Sequence, residues 1–413
     1  MSAAWVDEHL GTPEFYADPY PVLRRLREEA PVVWSERMGG WLVTRYADVV
    51  AALRDPARFS NAGRVHYLLD QLTPEQRAGT DLLQRHYAVG VGHADPPEHT
   101  RLRRLLTPLF QPQRLAALTA RVQAVVDQLL DAVAGRDAFD LVAALAYPLP
   151  AIVVLEFLGA PPADMDHFRR WAMDINGLFA GGGRLRPEVV AVAQSSLVEM
   201  RAYLDDLIAE RVRNPCDDVI SLLAADATRD RLDMAELVST CVTLFVAGHE
   251  TTTNLIGNGM VALLRHPGAL AQVRADSGLM APAIEEMLRY DAPVARAWRL
   301  ARADVELGGR LIRQGQMVLL MLGAANRDPD QFADPETFDV TRTENRHLGF
   351  GYGIHFCLGA PLARIEAPIA IGTLLARFPA LALDESRPLR WRHDIALRGV
   401  ETLPVTTGGI AHV

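Results

Sequence analysis

The chain has 413 residues, 49% of them hydrophobic and 23% charged, which excludes a disordered polypeptide and describes a globular protein with a large core. The formal net charge is −9, and all 42 basic residues are arginine, with no lysine, which argues against a basic nucleic-acid-binding surface. Three widely spaced cysteines, Cys216, Cys241 and Cys357, do not make a disulfide framework and fit a reducing compartment.

Residues 1–8 lack the charged start and apolar run of a signal peptide, so a cytoplasmic protein is expected. No Gly/Ser linker, low-complexity tract or repeat divides the sequence, and residues 1–413 read as a single, mainly α domain. Helical periodicity marks 19–29, 101–110, 115–134, 188–213 and 281–290. Alternation between the turn signals Gly39-Gly40 and Gly308-Gly309 reads as hairpin strands in 34–44 and 305–322. His99 and Arg103 fall one turn apart on one helical face. The apolar stretch 141–155 is broken by Pro148 and Pro150 and is too short to span a bilayer, so no membrane anchor is expected. Gly181-Gly182-Gly183 reads either as a flexible connection to a moving lid or as a variable surface turn.

The longest helix should start at Asp233, where Asp233 and Glu236 have capping-box spacing, and end before His266-Pro267. Its apolar middle runs into Ala247-Gly248-His249-Glu250-Thr251-Thr252, polar groups whose burial without partners would cost several kcal/mol. Small residues at Ala247 and Gly248 would admit a flat ring close to the backbone. Thr251 either turns its hydroxyl toward a ligand or bonds back to a carbonyl one turn earlier, and Glu250 either relays protons or pairs with an arginine. Further along, Glu286 and Arg289 share a helical face. Arg296 either anchors a substrate carboxylate or faces solvent or a cofactor edge.

The loop Phe350-Gly351-Tyr352-Gly353-Ile354-His355-Phe356-Cys357-Leu358-Gly359 sets one cysteine in a glycine-punctuated turn before an amphipathic helix. Such a turn holds a thiolate against a flat metal cofactor, with helix amides aimed at the sulfur. A lone cysteine is also commonly a buried structural residue. Zinc would need four ligands, and only His355 and Cys357 are at hand.

The pattern F-x-x-G-x-H-x-C-x-G resembles the haem-binding loop of the cytochrome P-450 family, and 247–252 is similar to that family's A-G-x-D/E-T-T motif. The resemblance covers essentially the whole chain and implies a helical domain with small β-sheets and haem b between the long central helix and the cysteine loop. It assigns iron ligation to Cys357, oxygen activation to Thr251 and proton delivery to Glu250. Ala247, Gly248, Phe350, Gly351 and Gly359 would lie against the haem, and His99, Arg103, Arg299 and His355 would bind its propionates. Arg342 would join the Glu286–Arg289 pair. The implied reaction inserts one atom of O2 into a lipophilic molecule and reduces the other to water. Electrons would come from NAD(P)H through a separate reductase and ferredoxin, docking on Arg101, Arg104, Arg346 and Arg364. A peroxide-driven peroxygenase and a non-catalytic haem sensor or carrier are the competing functions, and a monomer is expected. The pocket is expected from 61–91, 171–186, Thr243, 246–247, 293–296 and 397–400. Pro368, inside the helix after the cysteine, is expected to kink it.

Overall fold

The computed structural model describes residues 3–181, 184–229 and 231–408. Gly182 and Gly183, which carry the proposed lid connection, lie outside the described residues.

The organising element is the helix Met234–Arg265, 32 residues long. Its start is fixed by the expected capping box: Asp233 Oδ1 accepts from the Glu236 amide at 2.7 Å, and Glu236 Oε2 accepts from the Asp233 amide at 3.0 Å. Pro267 opens the next helix and ends this one. At 1.5 Å per residue the helix extends about 48 Å, across the molecule. It packs against Asp81–Val89, Pro148–Leu158, Pro187–Arg213, Met280–Tyr290 and Ala360–Arg377, so the main core forms around it. The apolar stretch around Leu141 to Leu155 is a π-helical turn, Val142–Ala146, followed by the helix Pro148–Leu158, which is buried against the long helix. Among the described residues no helix is long and apolar enough to cross a membrane.

Proline sets several boundaries that periodicity missed. The helix expected over 101–110 is Glu98–Leu106, and Pro108 turns the remainder into the 3-10 segment Thr107–Phe110. The helix expected from 115 begins earlier, with Pro112 at its first position. Pro368 does not interrupt Ala360–Arg377, which is helical throughout.

A five-stranded sheet lies beside the helices in the spatial order Val32–Ser35, Gly40–Val43, Met317–Leu320, Ala297–Ala301 and Phe59–Ser60. The second and third strands are parallel and the other pairs antiparallel. The segment 305–322, expected as hairpin strands, divides into two parts. Val305–Leu307 and Arg310–Ile312 form a tight hairpin across Gly308 and Gly309, both at positive φ. Met317–Leu320 instead enters the large sheet, because all four of its residues are buried and fit a central strand.

The expected charge cluster forms at the base of the cysteine loop. Glu286 and Arg289 are fully buried and joined by two 2.7 Å hydrogen bonds. The Arg289 guanidinium also donates to the carbonyls of Asn326, Pro335 and Thr337. Glu286 accepts from Arg342 Nε at 3.2 Å, from Asn345 Nδ2 at 3.2 Å and from the Asp339 amide at 2.9 Å. A buried charge pair is tolerable only when its remaining donors and acceptors are met, as they are here.

Candidate functional site

The cysteine loop is shaped by two left-handed glycines, Gly351 (φ 70°) and Gly353 (φ 73°). A Cβ at Gly353 would stand 2.5 Å from the Leu53 carbonyl oxygen, so glycine is required there for space as well as conformation. Gly359 differs from expectation: its φ of −81° is ordinary, and it is the cap before the helix Ala360–Arg377. The turn closes through the Cys357 amide, which donates to the Phe350 carbonyl at 2.9 Å. The Phe350 ring is covered by the Arg364 guanidinium at 4.6 Å.

Cys357 has accessible surface, yet protein atoms surround it on most sides. Burial pushes its thiol pKa up. The amides of Gly359 and Ala360 pull it back down, helped by the charges of Arg103 and Arg364. An adjacent metal cation would complete the deprotonation. Among the described residues no group of three or more His, Cys, Asp or Glu is placed to hold a metal ion, which leaves the zinc alternative without ligands.

Around the cysteine loop the chain gathers donors with nothing to donate to. His99 and His355 stand with ring centroids 4.3 Å apart. Both ring nitrogens of His99 and Nε2 of His355 are buried without a hydrogen-bond partner. Arg299 is 5% exposed, and its guanidinium donates to the neighbouring Trp298 carbonyl at 2.8 Å. Burial lowers its pKa to about 10. Burial, with the charges of Arg299, His99, Arg64 and Arg103, also lowers His355 to about 2, which places the four expected residues His99, Arg103, Arg299 and His355 in one neighbourhood. Unmet buried donors of this kind call for an anionic ligand. The set suits haem b: a soft thiolate for iron and a cationic cradle for two propionates. Sequence reasoning missed Arg64, which is 8% exposed and lowered to about 9 by burial and by Arg299. Its helix, Arg64–Leu69, carries no motif to mark it.

On the long helix, Ala247 and Thr251 line a cavity of about 340 Å³. Gly248 is turned elsewhere: a Cβ there would meet Val154 Cγ2 at 3.2 Å, so its smallness serves packing on Pro148–Leu158. Thr251 Oγ1 donates to the Ala247 carbonyl at 2.7 Å. The buried Glu250 pairs with Arg392 and accepts from Asn176 Nδ2 at 2.7 Å. Of the two alternatives the sequence leaves for each residue, this structure holds the back-bonded hydroxyl and the arginine-paired acid. Burial raises the Glu250 pKa against the opposing pull of Arg392 and Asn176.

The cavity walls come from Tyr87, Phe179, Val246, Val294 and Leu397, all within the expected segments, and from Val242, one residue outside them. His93, Trp298, Asp394 and Ala396 complete the lining and were not foreseen. Arg296 is 3% exposed and lines the cavity, so it does not face solvent. On the opposite side, Tyr46, Arg54, Arg346, Gly351, Tyr352 and Phe356 border an open groove of about 600 Å³ against the cysteine loop. Of the four arginines expected to dock a carrier, Arg101 pairs with Glu236 and Arg364 with Glu285, while Arg104 and Arg346 are exposed.

Comparison with known proteins agrees with this geometry. The family model described as Cytochrome P450 matches residues 175–398. Cytochrome P450 107B1 of Saccharopolyspora erythraea is 43% identical over 406 residues, covering 95% of this chain and 96% of its own. The cytochrome P450 monooxygenase PikC of Streptomyces venezuelae is also 43% identical, covering 95% of this chain and 92% of its own. The solved structure of P450BioI, in complex with an acyl carrier protein ligated to hexadec-9Z-enoic acid, superposes with a TM-score of 0.87 at 37% identity, covering 95% of this chain and 99% of that one. With a thiol held at helix amides, a cationic cradle and full-length relatives in agreement, this chain belongs to the cytochrome P450 family of monooxygenases.

Proposed function

We propose that this protein is a cytoplasmic, monomeric haem-thiolate monooxygenase acting on a lipophilic small molecule, with residues 1–413 forming one catalytic domain. Haem bound at Cys357 supplies the oxygen chemistry: one atom of O2 enters the substrate and the other leaves as water, at the cost of two electrons and two protons. Cys357 Sγ holds the iron as a thiolate, and the Gly359 and Ala360 amides support the negative sulfur. His99, Arg103, Arg299 and His355 bind the propionates, whose charge meets the unpartnered donors. Phe350 and Gly351 shape the cysteine loop, Ala247 would leave room for the ring, Gly248 lets the long helix pack closely on Val154, and Gly359 caps the helix after the cysteine.

Proton supply falls to Glu250 and Thr251. Burial favours the protonated carboxyl, while Arg392, itself partly exposed, links it to the surface. The Thr251 hydroxyl borders the cavity and delivers a proton there by rotating off the Ala247 carbonyl. The apolar walls of the cavity exclude water and hold a lipophilic body such as a polyketide, terpenoid, steroid or fatty-acid chain. Electrons arrive from NAD(P)H through a reductase and an acidic ferredoxin, seated on the groove beside Phe356 with Arg54 and Arg346 at its edge.

The observation that carries this reading is the set of inward donors without partners at His99 and His355, adjacent to an enclosed thiol. The test is the absorption spectrum of the reduced carbon monoxide complex, followed by turnover with ferredoxin, reductase and NADPH. A red-shifted thiolate-type Soret band and product containing one added oxygen atom are expected. A histidine-type band, or turnover supported by hydrogen peroxide alone, would overturn it.

A further inference from the structure

Of the buried arginines around the cavity, one is left over once the propionates are assigned. Arg64, Arg103, Arg296 and Arg299 have no carboxylate within ion-pair distance among the described residues, unlike Arg25, Arg313 and Arg377 at the surface. Arg103 and Arg299 belong to the propionate cradle. Arg64 stands against Arg299 and is tied down by the Asn61, Gly92 and Trp298 carbonyls and by His93 Nδ1 at 2.9 Å.

Arg296 is different. It is 97% buried by its 3% exposure, its guanidinium donates to the Phe179 carbonyl at 2.6 Å, and Nε is buried with no partner. A guanidinium carries five N–H donors, so most of its hydrogen-bonding capacity is unused. Asp394 lies close enough to influence it but does not bond to it; Asp394 Oδ1 is occupied by the amides of Ala396 and Leu397. In the lining of the same cavity, His86 Nδ1 is a second buried polar atom without a partner. Phe179, Val242, Val246, Val294 and Leu397 form the apolar part of the wall, and the remaining polar groups are Arg64, His93, Asn176, Thr243, Thr251 and Asp394. An unpaired buried charge is costly, and a guanidinium set beside an apolar surface orients a ligand with one charged end.

Building on the haem-enzyme reading above, we propose that Arg296 anchors an anionic head group and that the substrate is an amphiphilic carboxylic acid whose apolar body fills the remaining cavity. A carboxylate accepts both free edges of the guanidinium in a fork and replaces the missing counter-charge. Its hydrocarbon then runs over the Val242–Val246 face toward Ala247 and Thr251.

The test is optical titration of the haem-loaded protein with dodecanoic and hexadecanoic acid against dodecanol and hexadecanol. The acids are expected to bind about tenfold or more tightly than the alcohols of equal length. Arg296→Gln should erase that preference by weakening the acids and sparing the alcohols, and Arg296→Lys should retain part of it. Equal binding of acid and alcohol to the native protein would overturn the proposal, as would an absence of any acid-induced shift. So would an equal loss for both ligand classes in Arg296→Gln. If Arg296→Gln does not load haem, the native comparison and the Arg296→Lys variant still decide. The carbon monoxide spectrum, recorded on the same samples, separates the two readings: an intact thiolate band without acid preference removes the anchor alone.

Discussion

Single atoms at the site set the sharpest expectations. The Gly353 backbone is left-handed and its missing Cβ would stand 2.5 Å from the Leu53 oxygen. Gly353→Ala is therefore expected to cost about 1–3 kcal/mol and to release haem more readily, measured by thermal unfolding and by the haem retained after dilution. Thr251 reaches the cavity with a hydroxyl now spent on the Ala247 carbonyl. Thr251→Ala keeps the helix but loses the proton donor, so product formed per NADPH consumed should fall roughly tenfold or more. An unchanged yield would remove Thr251 from the relay. The hydroxyl and the acid beside it were legible in the sequence because polar side chains interrupt an apolar helix. Which residues would partner the acid was not legible, since Arg392 and Asn176 approach from segments that periodicity cannot bring together.

Helices carry a second layer of constraint. Glu366 lies on Ala360–Arg377, the helix that begins at the cysteine, and it is 2% exposed with Oε2 unpartnered. Burial raises its pKa from 4.5 to about 8. Below pH 4.5 the carboxyl is protonated whether the chain is folded or not. Between that point and about pH 8 the unfolded chain has lost the proton and the folded one keeps it, so stability falls as pH rises through the window. The slope is up to ~1.4 kcal/mol per pH unit. Glu366→Gln should flatten this dependence, read from urea midpoints at a series of pH values. A slope that persists in the variant would assign it to other groups.

Elements with strong local signals were read correctly. Asp233 and Glu236 cap the long helix as their spacing requires, and Glu286, Arg289 and Arg342 meet as the family resemblance implies. Errors fell where tertiary pairing decides. Met317–Leu320 follows a hairpin in sequence, but its fully buried run pairs with Gly40–Val43. Arg64 falls within the expected pocket segment 61–91, whereas His93 and Asp394 reach the cavity from outside the expected segments, so only the folded chain assembles them.

At the scale of the molecule, the two sides of the cysteine loop divide the labour. The groove beside Phe356 is open, and Arg104 and Arg346 are exposed and free of the acid pairs that hold Arg101 and Arg364. Reversing Arg104 and Arg346 to glutamate should slow electron delivery by an acidic carrier and weaken its salt dependence, measured by stopped-flow reduction at several ionic strengths. An unchanged rate at low salt would place the carrier elsewhere.

The fully satisfied Glu286–Arg289–Arg342 cluster has a consequence for how such a protein diversifies. Its bonds go to Asn326, Pro335, Thr337, Asp339 and Asn345, none of which lines the chamber where a substrate would rest. The wall of that chamber is assembled instead from segments around 64, 86–93, 175–179, 242–251, 294–298 and 394–397. Inheritance can thus rewrite the wall to suit a new molecule and leave the metal-holding scaffold untouched, because the two sets of residues share no hydrogen bond described above.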